Sequence, residues 1–133
     1  MERIFKPSNL ITMKKTPFEI ACKKMGINPT LLPGVEGLPE VTAKRQIADY
    51  KLDIIADATG KRVEELSGSN LKYTGWLEYV PSLRRFVSSD TTYTYAATGL
   101  GARFWFSDRN TATKFTQENI DLINDLMAPK ITA

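Results

Sequence analysis

In the stretch Lys72-Tyr73-Thr74-Gly75-Trp76-Leu77-Glu78-Tyr79-Val80, closed by Pro81, the apolar period of this chain changes from 3.6 residues to 2. Tyr73, Gly75, Leu77 and Tyr79 fall on one side of an extended backbone, and Thr74, Trp76, Glu78 and Val80 on the other, which predicts a β-strand. Leu83 to Val87 reads as a short second strand. Ser88-Ser89-Asp90 reads as a turn before the β-rich run Thr91 to Thr98, and Gly99-Leu100-Gly101 as another before Ala102 to Phe106. Four consecutive short strands with tight connections predict an antiparallel meander.

The sequence on either side of this run is helical. Upstream, Thr16-Pro17-Phe18-Glu19 is a helix start: the Thr16 hydroxyl can accept from the Glu19 N–H while the Glu19 carboxylate reaches back to the Thr16 N–H, and Pro17 suits the first helical position. Phe18, Ala21, Cys22 and Met25 follow at i, i+3, i+4, i+7, and Gly26 supplies the stop. Asn28 to Pro39 holds too many prolines and glycines for a regular element. From Pro39 or Glu40 to Thr59 a broad apolar arc of Val41, Ile47, Ala48, Leu52, Ile54, Ile55 and Ala58 predicts a second helix, capped near Gly60. Downstream, Ser107 or Asp108 caps a terminal helix that ends before Pro129, with Ala112, Phe115, Asn119, Leu122, Ile123 and Leu126 on its stripe; Asn119 weakens that stripe.

The expected fold is therefore α+β: two N-terminal helices, a four-stranded antiparallel meander and a C-terminal helix, with the helices packed on one sheet face. Residues 1–15 read as a loose N-terminal arm, 16–128 as a single α+β domain and 129–133 as a short tail. The 133 residues fit one core of ordinary size, and 42% hydrophobic with 25% charged residues is the composition of an ordinary globular protein.

The composition also excludes chemistry. There is no histidine, which removes Ser-His-Asp and Cys-His catalysis, imidazole bases and every histidine-containing zinc site. Cys22 is the single cysteine, so no intramolecular disulfide forms; its place on an apolar stripe predicts a buried structural thiol, and its solitude a reducing compartment. No uncharged apolar run is long enough for a membrane helix, and the N-terminus lacks a signal-peptide pattern. The net charge of +3 is spread evenly over the two halves, unlike the clustered basic face of a nucleic-acid binder. Asp49, Asp53 and Asp57 recur every four residues on the second helix, interleaved with Lys44, Arg45, Lys51 and Lys61, and read as a solvated face rather than a cation site. The glycines of Gly99-Leu100-Gly101 lead into a strand, which fits a hairpin turn better than a phosphate loop. No catalytic residue, metal or cofactor is expected.

The aromatic content of the sheet is the most informative feature left. With Phe104 and Phe106 facing the helices, alternation places Trp105 on the open face beside Arg103, near Tyr93, Tyr95 and the Arg84-Arg85 pair. Those six residues form the candidate interaction surface. Such a surface suits a protein partner, since Tyr, Trp and Arg are the residues of binding hot spots. It also suits single-stranded nucleic acid, whose bases stack on aromatic rings while cations meet phosphates. A two-sided core, with the arm or the proline-rich loop over the second face, is the third arrangement open at this point.

Four stretches together resemble a known family: Phe18-Glu19-Ile20-Ala21-Cys22 leading to Leu32-Pro33-Gly34-Val35-Glu36-Gly37-Leu38-Pro39-Glu40; Tyr50-Lys51-Leu52; Lys72-Tyr73-Thr74-Gly75-Trp76-Leu77; and Gly99-Leu100-Gly101-Ala102-Arg103-Phe104-Trp105-Phe106. The combination is similar to small uncharacterised proteins encoded by bacteriophages and prophages of Bacteroidales-type bacteria, over about residues 16 to 127. Here Trp105 replaces the family's usual small residue or cysteine, and the arm before Thr16 is longer. The family has no assigned activity, so the resemblance implies a phage setting without residue roles. The expectation is a non-enzymatic phage protein, a minor virion or assembly component that binds another phage protein or itself. It would reside in the host bacterial cytoplasm or in the virion, away from membranes. The alternative is an accessory protein that binds single-stranded nucleic acid.

Overall fold

The computed structural model describes residues 15–63, 71–94 and 104–127. Among these residues it is an α+β structure of four helices and a two-stranded antiparallel sheet. The elements run α1 (Pro17–Met25), α2 (Glu40–Ala58), β1 (Lys72–Val80), β2 (Arg85–Thr94), α3 (Arg109–Glu118) and α4 (Ile120–Met127).

Local signals set the first two helices. The Thr16 hydroxyl accepts from the Glu19 N–H at 3.1 Å, and the Thr16 N–H donates to the Glu19 carboxylate at 2.9 Å, closing both halves of the capping box. Gly26 ends α1 at φ 72°, the left-handed conformation a glycine adopts at no steric cost. At the far end of α2, the Thr59 hydroxyl and the Gly60 N–H turn back onto Ala56 and Asp57 carbonyls, while Lys24 at the end of α1 donates to the Ala58 carbonyl. A cation at that terminus complements the α2 dipole and ties the two helices together.

The strands depart from the expected meander. β1 does begin at Lys72 and end at Val80, but Leu83–Val87 and Thr91–Thr98 are not two strands: β2 runs unbroken from Arg85 to Thr94. The Ser88-Ser89-Asp90 turn is instead a bulge. Trp76 pairs with Asp90 and Leu77 with Ser88, leaving Ser89 as the extra residue. Residues 95–103, with the rest of the Thr91–Thr98 run, the Gly99-Leu100-Gly101 turn and the start of the Ala102–Phe106 strand, lie outside the described residues. At Phe106 the backbone exchanges two 2.8 Å hydrogen bonds with Tyr73 of β1 and on its other side bridges to Arg62. This segment thus lies along the β1 edge that faces away from β2, whereas a meander puts its last strand beyond the third.

The terminal helix is also divided. Asn119, at φ −117° and ψ 24°, leaves helical geometry, and its buried amide donates to the Phe115 carbonyl, closing α3 and restarting the chain as α4. A short polar side chain that bonds its own backbone competes with helix continuation. The helices do not share one sheet face either: α3 packs on β1 and β2, α4 on β2, α2 on α4, and α1 on α2.

The core joins Phe18, Ala21 and Cys22 of α1, Leu52, Ile54, Ile55, Ala56 and Ala58 of α2, Phe106, and Ala112, Phe115 and Ile123 of the C-terminal helices. Met25 and Val41, expected on the apolar stripes, are exposed; each stands at a helix end. Gly75 fixes how closely α3 approaches the sheet. A Cβ there would lie 2.0 Å from the Thr116 Oγ1, a distance no side chain tolerates.

Candidate functional site

Gly75 defines the two sides of the hairpin. Its α-carbon faces α3, so Tyr73, Gly75 and Leu77 look inward, and Trp76 and Glu78 look out. Across from Gly75, the buried Thr91 hydroxyl meets the Thr113 hydroxyl of α3 at 2.6 Å. Arg109 of α3 donates to the Thr91 carbonyl at 3.1 Å and lays its guanidinium over the Tyr73 ring, 5.2 Å from the centroid. These contacts occupy the inner face.

Of the six residues expected to form one surface, the four that lie among the described residues do not form one. Arg84 sits in the tip, Pro81 to Arg84, with φ 54°; this left-handed conformation closes the connection, and the Leu83 and Arg84 N–H groups donate to the Val80 and Pro81 carbonyls. Arg85 follows and turns to Asp121 of α4, Nη2 to Oδ1 at 2.8 Å. Tyr93 lies at the other end of the hairpin, exposed, with its ring 6.3 Å from that of Tyr73. Seven residues of strand lie between it and Arg85, about 25 Å of extended chain. Tyr95 and Arg103 lie outside the described residues.

Trp105 corrects the expectation most directly, because its side chain is buried, at 7% exposure. Phe104 and Phe106 both pack on Phe115, so alternation does point Trp105 to the opposite side. That side is covered at this end of the sheet. Lys72, on the same outer side of β1, is fully buried as well.

Midway along the same outer side the cover stops. Trp76 is 59% exposed. Asp90 stands across from it on β2 and Glu78 two residues along β1, both exposed, while Val87 pairs with Glu78 and Val80 closes the strand. The Asp90 Oδ1 accepts from the Thr91 N–H at 2.7 Å, which orients that carboxylate. Sequence reasoning counted Trp76 among the sheet aromatics but left it out of the candidate surface. The available signal was Gly75: a glycine within a strand marks the side where another element comes close, which assigns its neighbour Trp76 to the open side.

Reactive groups elsewhere are tied into structure. Arg62, just past the end of α2, donates to Asp53 and Asp57 at 2.9 Å each and stacks on the Phe104 ring at 5.1 Å. Burial works against its charge, but the hydrogen bonds to Asp57 and Asp53 outweigh that and raise its pKa. Two of the three carboxylates of the α2 ridge thus hold the chain that leaves the helix. The Cys22 thiol is fully buried; burial first, and the nearby Glu19 second, push its pKa up and away from thiolate chemistry. Among the described residues, no group of three or more Asp, Glu or Cys side chains is placed to hold a metal, and no helix is long and apolar enough to cross a membrane.

The chain matches no protein-family model, no curated protein and no solved structure.

Proposed function

We propose that this chain is a non-enzymatic protein-binding module that engages its partner through the outer face of the β1–β2 hairpin. In the phage setting implied by the sequence resemblance, it serves as a minor virion or assembly component. The observation that carries this reading is Trp76, a large aromatic ring held in the open on a rigid two-stranded ladder. A rigid exposed Trp offers contact area at little entropic cost, the usual anchor of a protein interface. The carboxylates around Trp76, which repel phosphate, and the burial of Trp105 favour a protein over a nucleic acid at this face.

A photo-cross-linking amino acid placed at position 76, in the cell that makes the protein, tests this. The expected adducts are removed by protease, survive nuclease, and are missing when the same group replaces the exposed Lys114 of α3. Adducts sensitive to nuclease, or none above the Lys114 background, end this reading.

A further inference from the structure

We infer that the Trp76 ring receives a cationic side chain, an arginine or a lysine, carried by an extended segment of the partner protein. This deepens the protein-binding reading and rests on it. Among aromatic rings, the indole face attracts a cation most strongly, and here it is exposed. Glu78 and Asp90 flank it on two sides, so a cation above the ring also lies near two carboxylates.

Among the described residues, the nearby basic groups do not cancel this field. Lys72 is fully buried and engaged, Arg85 turns to Asp121, Arg109 lies over Tyr73 on the inner side, and Arg84 stands beyond Val80 at the tip. The same charges argue against the other occupants. A phosphate backbone would meet two carboxylates, and a second copy laid face to face would gather four of them around two indoles. The size of the face points the same way. Two strands span roughly 10 Å, room for one extended segment rather than the ~800 Å² per partner of a standard interface.

The probe is a fluorescein-labelled, unstructured peptide of alternating arginine and glycine, titrated with the full chain at low salt and followed by anisotropy. Binding should weaken about tenfold or more in Trp76→Ala, where the ring is lost. It should weaken comparably in the double variant Glu78→Gln, Asp90→Asn, with a flatter dependence on salt. A glutamate–glycine peptide and a single-stranded oligonucleotide should not bind. As a second readout that needs no ligand, the double variant should lower the quenching of Trp76 fluorescence by caesium and raise its quenching by iodide. Near-isosteric amides keep the Asp90 oxygen that accepts from Thr91, and circular dichroism verifies that the variants are folded. Peptide binding that survives Trp76→Ala, equal binding of the acidic peptide or the oligonucleotide, self-association through this face, or caesium and iodide quenching left unchanged by the double variant overturns the inference. If protease-sensitive adducts form at position 76 while the arginine peptide fails, the protein-binding reading stands without a cationic partner. Nuclease-sensitive adducts end both.

Discussion

Gly75 and Arg84 show backbone geometry setting the identity of single residues in opposite senses. At Gly75 no side chain fits, since an added Cβ would lie 2.7 Å from the Thr116 Cβ and closer still to its hydroxyl. Gly75→Ala must push α3 off the hairpin and should cost on the order of 2–3 kcal/mol, within the range of overpacked core sites. Thr116→Ala in the same chain should recover part of the loss and no more, because its own Cβ remains too near. Chemical denaturation of the two single variants and the double gives the coupling directly. Arg84 is the converse case, a non-glycine residue at φ 54°. Arg84→Gly should stabilise the protein by about 1 kcal/mol, the cost of holding an L-residue in the left-handed region. An unchanged or lower denaturation midpoint would mean that the arginine side chain contributes as much as its backbone costs.

At the scale of elements, the edge of β2 is finished by α4. The Asn124 amide accepts from the Phe86 N–H at 2.7 Å and donates to the Phe86 carbonyl at 2.9 Å, as a neighbouring strand would. Because these groups of Phe86 face away from β1, Phe86 and Tyr79 form a close pair with rings 5.3 Å apart. Asn124→Leu keeps the volume but removes both bonds, and should cost about 1–3 kcal/mol in thermal or urea unfolding. The cap of α3 gives a pH dependence. The Asp108 carboxylate accepts from the Thr111 N–H at 2.8 Å and from its hydroxyl at 2.9 Å, and these bonds, the backbone one first, hold its pKa below the ordinary 3.8. A carboxyl depressed on folding stabilises the protein above its unfolded pKa, and that contribution disappears as pH falls through the folded value. The melting temperature of the native chain should therefore fall more steeply below pH 3.8 than that of Asp108→Asn, which has no such proton to gain; parallel acid limbs would refute the cap's role.

The limits of α1 and α2 were legible because caps and stops act over three or four residues: Thr16 with Glu19, Gly26, Gly60. Ser88-Ser89-Asp90 misled because the small polar residues that make a turn also suit a bulge, and the choice depends on a partner strand that sequence spacing does not reveal. The Asn119 break was foreshadowed by a polar residue on an apolar stripe. For the candidate surface, alternation set Trp105 opposite Phe104 and Phe106 as expected, but Tyr93, paired with Tyr73, lies on the inner side, and the placement of Trp105 in the open failed because exposure depends on what lies over a face. The pairing of Phe106 with Tyr73, and the clasp of Arg62 by two carboxylates of α2, are contacts between distant segments that no local period encodes.

For the molecule as a whole, the place of Phe106 has a kinetic consequence. Its backbone is held between Arg62 and Tyr73, so a short segment entering the C-terminal helices is threaded between two earlier pieces of chain. Both bridges close long loops, of roughly 40 and 30 residues, and loop closure must be met before the contacts that reward it. The clasp at Arg62 and the two-helix unit of α1 and α2 need no such closure and can form early. Insertion of Phe106, whose ring is 4.9 Å from Phe115, then joins helices, hairpin and C-terminus in one cooperative step. Phe106→Leu should accordingly slow refolding in stopped-flow fluorescence while leaving the unfolding arm of the chevron nearly unmoved, the signature of a residue already in place at the barrier. A change confined to unfolding would place the insertion after it. The two halves of this small protein are thus mutually dependent: neither has a complete interior until the strand-like segment around Phe106 has docked between them.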